Sequence, residues 1–187
     1  LLVVGLGGIG SEVAQRGHGF GMKVLATRRN ASTPSPEWIE HVGPPEELAT
    51  LLPKADVVVI CVPLTKETEK LFDAKALGLM KSTAYLVNIA RGKVVDSAAL
   101  VEALKAKKLA GACLDVTDPE PLLKESPLWA MKNVVITPHV ASDAEPAGHR
   151  RPPHRRRPAR DAAVPAHQGH AQRVTGSLAG ARALGLQ

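Results

Sequence analysis

Gly5-Leu6-Gly7-Gly8-Ile9-Gly10 follows an apolar run at residues 1–4 and opens an amphipathic stretch over 9–20. A glycine turn thus joins a strand to a helix, and each glycine has a separate task in that setting. Gly5 permits the tight turn, Gly7 lets the backbone approach a bulky anion, and Gly10 lets helix and strand touch. The amino end of the helix then offers free N–H groups and the positive end of its dipole to phosphate oxygens. Gly5, Gly7, Gly8, Ile9 and Gly10 are therefore read as a cradle for the pyrophosphate of a dinucleotide. The spacing alone is weak evidence, and the strand–turn–helix context gives it weight.

Working outward, apolar runs recur at residues 24–26, 57–62, 85–89, 110–116 and 134–136. Helical patterns fill the gaps at 45–52, 72–80 and 97–106. Runs that are nearly continuous, not alternating, imply burial on both faces and hence a parallel sheet covered by helices. Asp96-Ser97 before the third of these patterns is an N-cap signal, and Pro44-Pro45-Glu46-Glu47 opens the first with proline and acids. The pattern predicts an α/β fold, a Rossmann-type doubly wound parallel sheet, over residues 1–142.

After Ser142 this grammar stops. Residues 146–187 hold eight Arg and one acid, Asp161, whereas the whole chain of 187 residues has a net charge of only +6. The basic excess therefore belongs to the tail. Its abrupt change to Arg, Pro and Ala without periodicity predicts that 143–187 is disordered, and its composition suggests a frameshift product. A basic arm for nucleic acid is the competing reading, disfavoured because no aromatic residues interleave the arginines. Cys61 and Cys113 lie in apolar runs and read as inert buried thiols. No apolar run reaches the roughly 18 residues that span a bilayer, so a membrane partner is not expected and a cytoplasmic setting is. The opening on Leu1-Leu2 predicts that a natural start is missing, which leaves an organelle-targeting peptide open.

The second apolar run ends in Arg28-Arg29, 18 residues past Gly10 for the first of them. NAD-preferring domains carry an acid about 20 residues beyond the glycines, for the ribose 2′-hydroxyl. A guanidinium there favours a 2′-phosphate, so NADP is expected over NAD, a solvated basic loop being the alternative. In open parallel sheets ligands sit beyond the carboxyl ends of the strands. Those ends deliver Arg91, Asp115 with Glu120 shortly after, and His139. Arg91 suits a substrate carboxylate. His139 suits proton transfer near neutral pH, with Glu120 to fix its tautomer and stabilise imidazolium. With a nicotinamide as hydride carrier, this set fits a small 2-keto or 2-hydroxy acid.

The series formed by residues 5–10, Val62-Pro63-Leu64-Thr65-x-x-Thr68, Asn88-Ile89-Ala90-Arg91-Gly92, Asp115-Val116-x-x-x-Glu120-Pro121 and Thr137-Pro138-His139 resembles the signatures of the D-isomer-specific 2-hydroxyacid dehydrogenases. The resemblance covers residues 1 to about 142 and implies Arg91 as carboxylate binder, His139 as acid/base and Glu120 as its partner. It also implies Val62, Pro63, Thr68 and Ala90 near the nicotinamide half of the cofactor, with Asp115 on the carboxamide. Arg28 and Arg29 are similar to the NADP-leaning glyoxylate/hydroxypyruvate reductase members. The family further implies a homodimer in the intact parent and a second, substrate-binding domain that is largely absent here. The chain alone is thus expected to bind cofactor weakly and turn over poorly. A dinucleotide-sensing corepressor or scaffold is the alternative from another class, and formate or phosphite are alternative substrates on the same fold.

Overall fold

The computed structural model describes residues 1–141, and the expectations for the tail lie outside the described residues. Seven strands form one sheet: β1 (Leu2–Val4), β2 (Val24–Thr27), β3 (Ile39–Gly43), β4 (Val57–Ile60), β5 (Tyr85–Asn88), β6 (Gly111–Leu114) and β7 (Val134–Ile136). Their order is β3-β2-β1-β4-β5-β6-β7 and every neighbouring pair is parallel. The expected Rossmann-type doubly wound sheet is therefore present. The order reverses between β1 and β4, and at such a point the connections leave for opposite faces and open a crevice.

The two-faced burial read from the apolar runs is resolved strand by strand. Leu2, Val4, Val58, Ile60 and Leu86 face one side, where they pack with Leu48 and Leu51 of α2 (Leu48–Leu51), Leu77 of α3 (Ala74–Leu79), Leu100 and Leu104 of α4 (Ser97–Lys105), and the fully buried Phe72. Leu1, Val3, Val24, Ala26 and Val59 face the other side with Ala14 of α1 (Gly8–Gly19). Asp96 caps α4 as its position foretold, accepting from the amides of Ala98 and Ala99, each at 3.1 Å.

Two elements differ from expectation. β3 was not among the apolar runs, because Ile39-Glu40-His41-Val42-Gly43 is an edge strand with Glu40 and His41 exposed. Only its ends are buried, so neither a continuous run nor a clean alternation marks it. The helix read over 45–52 is a 3-10 turn at Pro45–Glu47, the single-turn α2, and a second 3-10 turn at Leu52–Lys54. Pro53 lacks the amide donor that a longer α-helix needs at that point, whereas Pro44-Pro45 only open the segment. Among the described residues no helix is long and apolar enough to cross a membrane.

The junction of β1 and α1 is the tightest point of this frame. Gly5 adopts φ +101°, and a β-carbon on Gly10 would overlap the Gly5 carbonyl. At Gly7 a β-carbon would meet nothing within 4 Å. Gly10→Ala is accordingly expected to cost about 1–3 kcal/mol in urea unfolding, as overpacking does. Gly7→Ala is expected to stay within about 0.5 kcal/mol of the parent. Equal losses at the two glycines would contradict this reading of the turn.

Candidate active site

Because all seven strands run in parallel, their carboxyl ends share one edge, and most of the chemistry-bearing residues follow those ends directly. β1 is followed by Gly5, β2 by Arg28 and Arg29, and β4 by Cys61, Val62 and Pro63. β5 leads to Ala90 and Arg91, β6 to Asp115, and β7 to His139. Around the reversal of strand order lies a cleft of about 780 Å³. Gly5, Gly7, Arg28, Arg29, Val62, Pro63 and Thr68 all line it, with Leu6, Thr65 and the turn residues Pro45 and Glu46. Sequence reading did not include Pro45 and Glu46, whose only signal was helix initiation.

The amino end of α1 has no capping side chain, with Gly7 in extended backbone at the cap position. Its first amides are therefore available to an outside acceptor. Arg28 is half-buried, and its Nε and Nη2 are shielded from solvent without a hydrogen-bond partner among the described residues. A buried charged donor without an acceptor is costly, so this guanidinium is suited to an incoming anion. Arg29 is exposed at the cleft rim. Thr68 accepts from the Thr65 amide (2.8 Å) and donates to the Pro63 carbonyl (2.7 Å), which fixes the loop after β4. The residues present thus fit a phosphorylated dinucleotide.

Farther along the edge, His139 Nδ1 lies 2.6 Å from Glu120 Oε1. With Nδ1–H donating to Glu120, Nε2 is the nitrogen left free. Both side chains are about 40% exposed, at 40% and 42%, so the pair adds only about 0–1 kcal/mol to stability. His139 itself has φ +57°, a left-handed backbone that costs a non-glycine residue about 1–2 kcal/mol. The pair lines a second cleft of about 650 Å³ with Asp115, Thr137, Leu122 and Trp129. Trp129 was missed by sequence reading. Its indole N–H donates to the Leu123 carbonyl at 2.9 Å, leaving much of the ring exposed.

Arg91 is exposed and makes no ion pair among the described residues. Its Nη1 donates to the Ala90 carbonyl at 2.6 Å. The loop that carries it is shaped by buried Asn88, whose Oδ1 accepts from the Ala90 amide and whose Nδ2 donates to the Arg91 carbonyl, both at 3.0 Å. A polar residue inside an apolar run was the available signal. Gly92 then presses against the segment after β6, since a β-carbon there would overlap the Thr117 carbonyl. Ala90, Arg91, Gly8, Ile9 and Gly10 lie on the same edge but line neither cleft.

Asp115 is buried at 6% exposure, and its carboxylate accepts from Thr137 Oγ1 (2.5 Å), the Val140 amide (3.0 Å) and the Ala141 amide (2.9 Å). A carboxylate has about four acceptor positions, so one remains on Oδ2 for an outside donor. Burial works to raise its pKa, but the Thr137, Ala141 and Val140 bonds, with nearby His139, together hold it below the ordinary carboxylate value. Burial also pushes the half-buried Cys61 thiol up to about 11, which keeps it protonated.

Residues 1–141 match the model of the D-isomer specific 2-hydroxyacid dehydrogenase, NAD binding domain, family. The chain belongs to that family. Among its dehydrogenase relatives, glyoxylate reductase of Thermococcus kodakarensis is 49% identical over 141 residues, 75% of this chain and 41% of that protein. Glyoxylate reductase of Pyrococcus furiosus is 47% identical with the same coverage. The chain thus spans about two fifths of the length of the curated relatives it matches. Among solved dehydrogenases, a D-isomer specific 2-hydroxyacid dehydrogenase of Xanthobacter autotrophicus in complex with NADPH and MES superposes with TM-score 0.73 at 40% identity, covering 79% of this chain and 60% of that one. An NAD-complexed dehydrogenase of Lactobacillus delbrueckii gives TM-score 0.65 at 36% identity, covering 74% and 45%. The domain is therefore an NAD(P)-binding one.

The lowered pKa of Asp115 carries a sign for the pH dependence of this domain's stability. A carboxyl with a depressed folded-state value stabilises the fold above its unfolded pKa of about 3.9, and that stabilisation is lost as pH falls through the folded value. The difference in urea midpoint between the parent and Asp115→Asn should therefore be full near neutrality and shrink below about pH 4. A difference that stays constant down to the acid limit of folding would contradict it.

Proposed function

We propose that this domain serves the NADPH-dependent reduction of a small 2-keto acid such as glyoxylate or hydroxypyruvate, within a homodimeric whole protein. The observation that carries the reading is the His139–Glu120 contact at 2.6 Å, on the sheet edge that also bears the glycine turn and Arg91, which makes no ion pair among the described residues. The two relatives named glyoxylate reductase support the choice of acid. So does the glyoxylate/hydroxypyruvate reductase of Sinorhizobium meliloti, described as NADPH-dependent, with TM-score 0.70 at 31% identity over 77% of this chain and 73% of that one.

When bound, the nicotinamide supplies the hydride. The chain's own residues do the rest. The free amides of Gly8, Ile9 and Gly10 at the start of α1 would hold the pyrophosphate, with Gly7, whose own amide donates to the Gly5 carbonyl at 2.9 Å, leaving the approach bare. Arg28, with Arg29 at the rim, would receive the 2′-phosphate, and its shielded Nε and Nη2, without a partner among the described residues, are the support for NADP over NAD. Val62, Pro63, Thr68 and Ala90 would hold the nicotinamide half, with the remaining acceptor of Asp115 for its carboxamide. Arg91 holds the substrate carboxylate through its planar fork. His139 gives the proton from Nε2 to the C2 oxygen, while Glu120 keeps Nδ1–H directed at itself and stabilises the imidazolium. The same groups run the oxidation of the 2-hydroxy acid with His139 as base.

In the whole protein, His139→Ala is expected to lower kcat/KM for glyoxylate by about 10²–10⁴, the usual worth of a positioned acid/base. A loss under tenfold would remove His139 from that role. For the 187-residue chain the corresponding measurement is a fluorescence titration with NADPH and NADH. Arg28→Ala should weaken NADPH binding by about tenfold or more while leaving NADH nearly unchanged. Equal weakening of both would count against a 2′-phosphate site at Arg28.

A further inference from the structure

We propose that Asp115 is the positioning residue of the His139–Glu120 pair, holding the backbone on both sides of His139 so that the imidazole meets Glu120. The catalytic meaning of this inference rests on His139 being the proton carrier, while the inference itself concerns only where the imidazole is held. The left-handed backbone at His139 costs a non-glycine residue about 1–2 kcal/mol, even though histidine visits it more often than most. Contacts outside the residue offset that cost and hold the conformation in place.

Three groups are candidates for that task, and two are too weak. Glu120 touches the imidazole, but the pair is solvated and the contact is made by a side chain free to swing. The local bond from the His139 amide to the Thr137 carbonyl, 3.0 Å, closes a turn without anchoring it to the sheet. Asp115 does anchor it. Its Oδ1 accepts from the Thr137 hydroxyl two residues before His139 and from the Val140 amide one residue after, and its Oδ2 accepts from the Ala141 amide two residues after. The three bonds straddle the histidine, and all of them end on one buried carboxylate.

That carboxylate is itself fixed. Asp115 immediately follows β6, and its own amide donates to the Asn88 carbonyl at 2.9 Å, which extends the β5–β6 ladder by one bond. The Thr137 amide donates to the Leu114 carbonyl at 3.0 Å, which does the same for β6 and β7. Asp115 makes no hydrogen bond to the His139 side chain, so its influence passes through the backbone. A charged acceptor bonded to two main-chain amides is a strong and directional hold.

The test reads the tautomer of His139 in the ¹⁵N-labelled 187-residue chain, without cofactor or substrate, by long-range ¹H–¹⁵N correlation at a pH where imidazoles are neutral. Nδ1 donates to Glu120 in the parent, so the Nδ1–H form should dominate, and Glu120→Ala should convert it to the Nε2–H form that free histidine prefers. Asp115→Asn and Asp115→Ala are expected to do the same although neither touches the ring. Thr137→Val, which removes one bond of three and keeps the side-chain shape, should give a mixture and covers the case in which the Asp115 variants fail to fold. His41, whose Nε2 lies 2.6 Å from Glu47 Oε2 at a distant edge of the sheet, is the internal reference and should keep Nε2–H throughout. An unchanged His139 tautomer in folded Asp115 variants, or in Thr137→Val, would overturn the proposal, as would an Nε2–H form in the parent. An inactive whole protein whose His139 tautomer does respond to Asp115 would count against the proposed reaction and leave the positioning role standing.

Discussion

The contact between Gly10 and the Gly5 carbonyl sets the rest of the cofactor side of the molecule. It lets α1 begin directly on top of the strand it leaves, which brings the uncapped amino end of the helix to the carboxyl edge of the sheet. With the strand order reversing between β1 and β4, the helix on one face and those on the other diverge at that same place. A cleft follows from the topology, and at Gly5 and Gly7 its lining is bare backbone. Anion recognition by amides and a dipole end needs this bare approach.

Electrostatics divides the edge into two regions of different character. Near β2 the dominant feature is a guanidinium withdrawn from water with donors unanswered by the described residues. Near β6 and β7 the charges are answered internally, Glu120 by His139 and Asp115 by a hydroxyl and two amides. The first region is prepared to receive charge, and the second is prepared to keep geometry. Between them the loop after β5 is locked by Asn88 and pressed by Gly92 onto the segment after β6. Arg91 and the His139–Glu120 pair are thereby carried by loops in direct contact, not by independent appendages.

Much of this was legible in the chain. The glycine turn, the Asp96 cap and six of the seven strands were marked by short-range patterns that any local conformation must satisfy. β3 escaped because an edge strand with Glu40 and His41 in water carries no apolar signature. The proline-broken segment around α2 escaped because its apolar spacing is helical while its missing donors are not. At the site, Arg91, Glu120 and His139 could be found from the rule that strand ends face one edge. The partners of Asp115 could not, because Thr137, Val140 and Ala141 reach it only through the register of β6 against β7. The same holds for Trp129, placed beside the histidine by a 3-10 turn at Pro127–Ala130.

The left-handed backbone of His139 also has a bearing on how such a domain ages. A glycine, or an asparagine, would sit in that conformation more comfortably than any histidine does. The most stable residue for the fold and the residue suited to the proposed chemistry are here different ones. Under the proposed role, selection for the chemistry is what opposes that drift. In a lineage where the reaction had ceased to matter, this position would be among the first to relax toward glycine while the sheet stayed intact. Under the proposed role, the identity of residue 139 across related chains is thus a register of use, separable from Gly5 and Gly10 of the turn, where the fold itself leaves no room for a β-carbon.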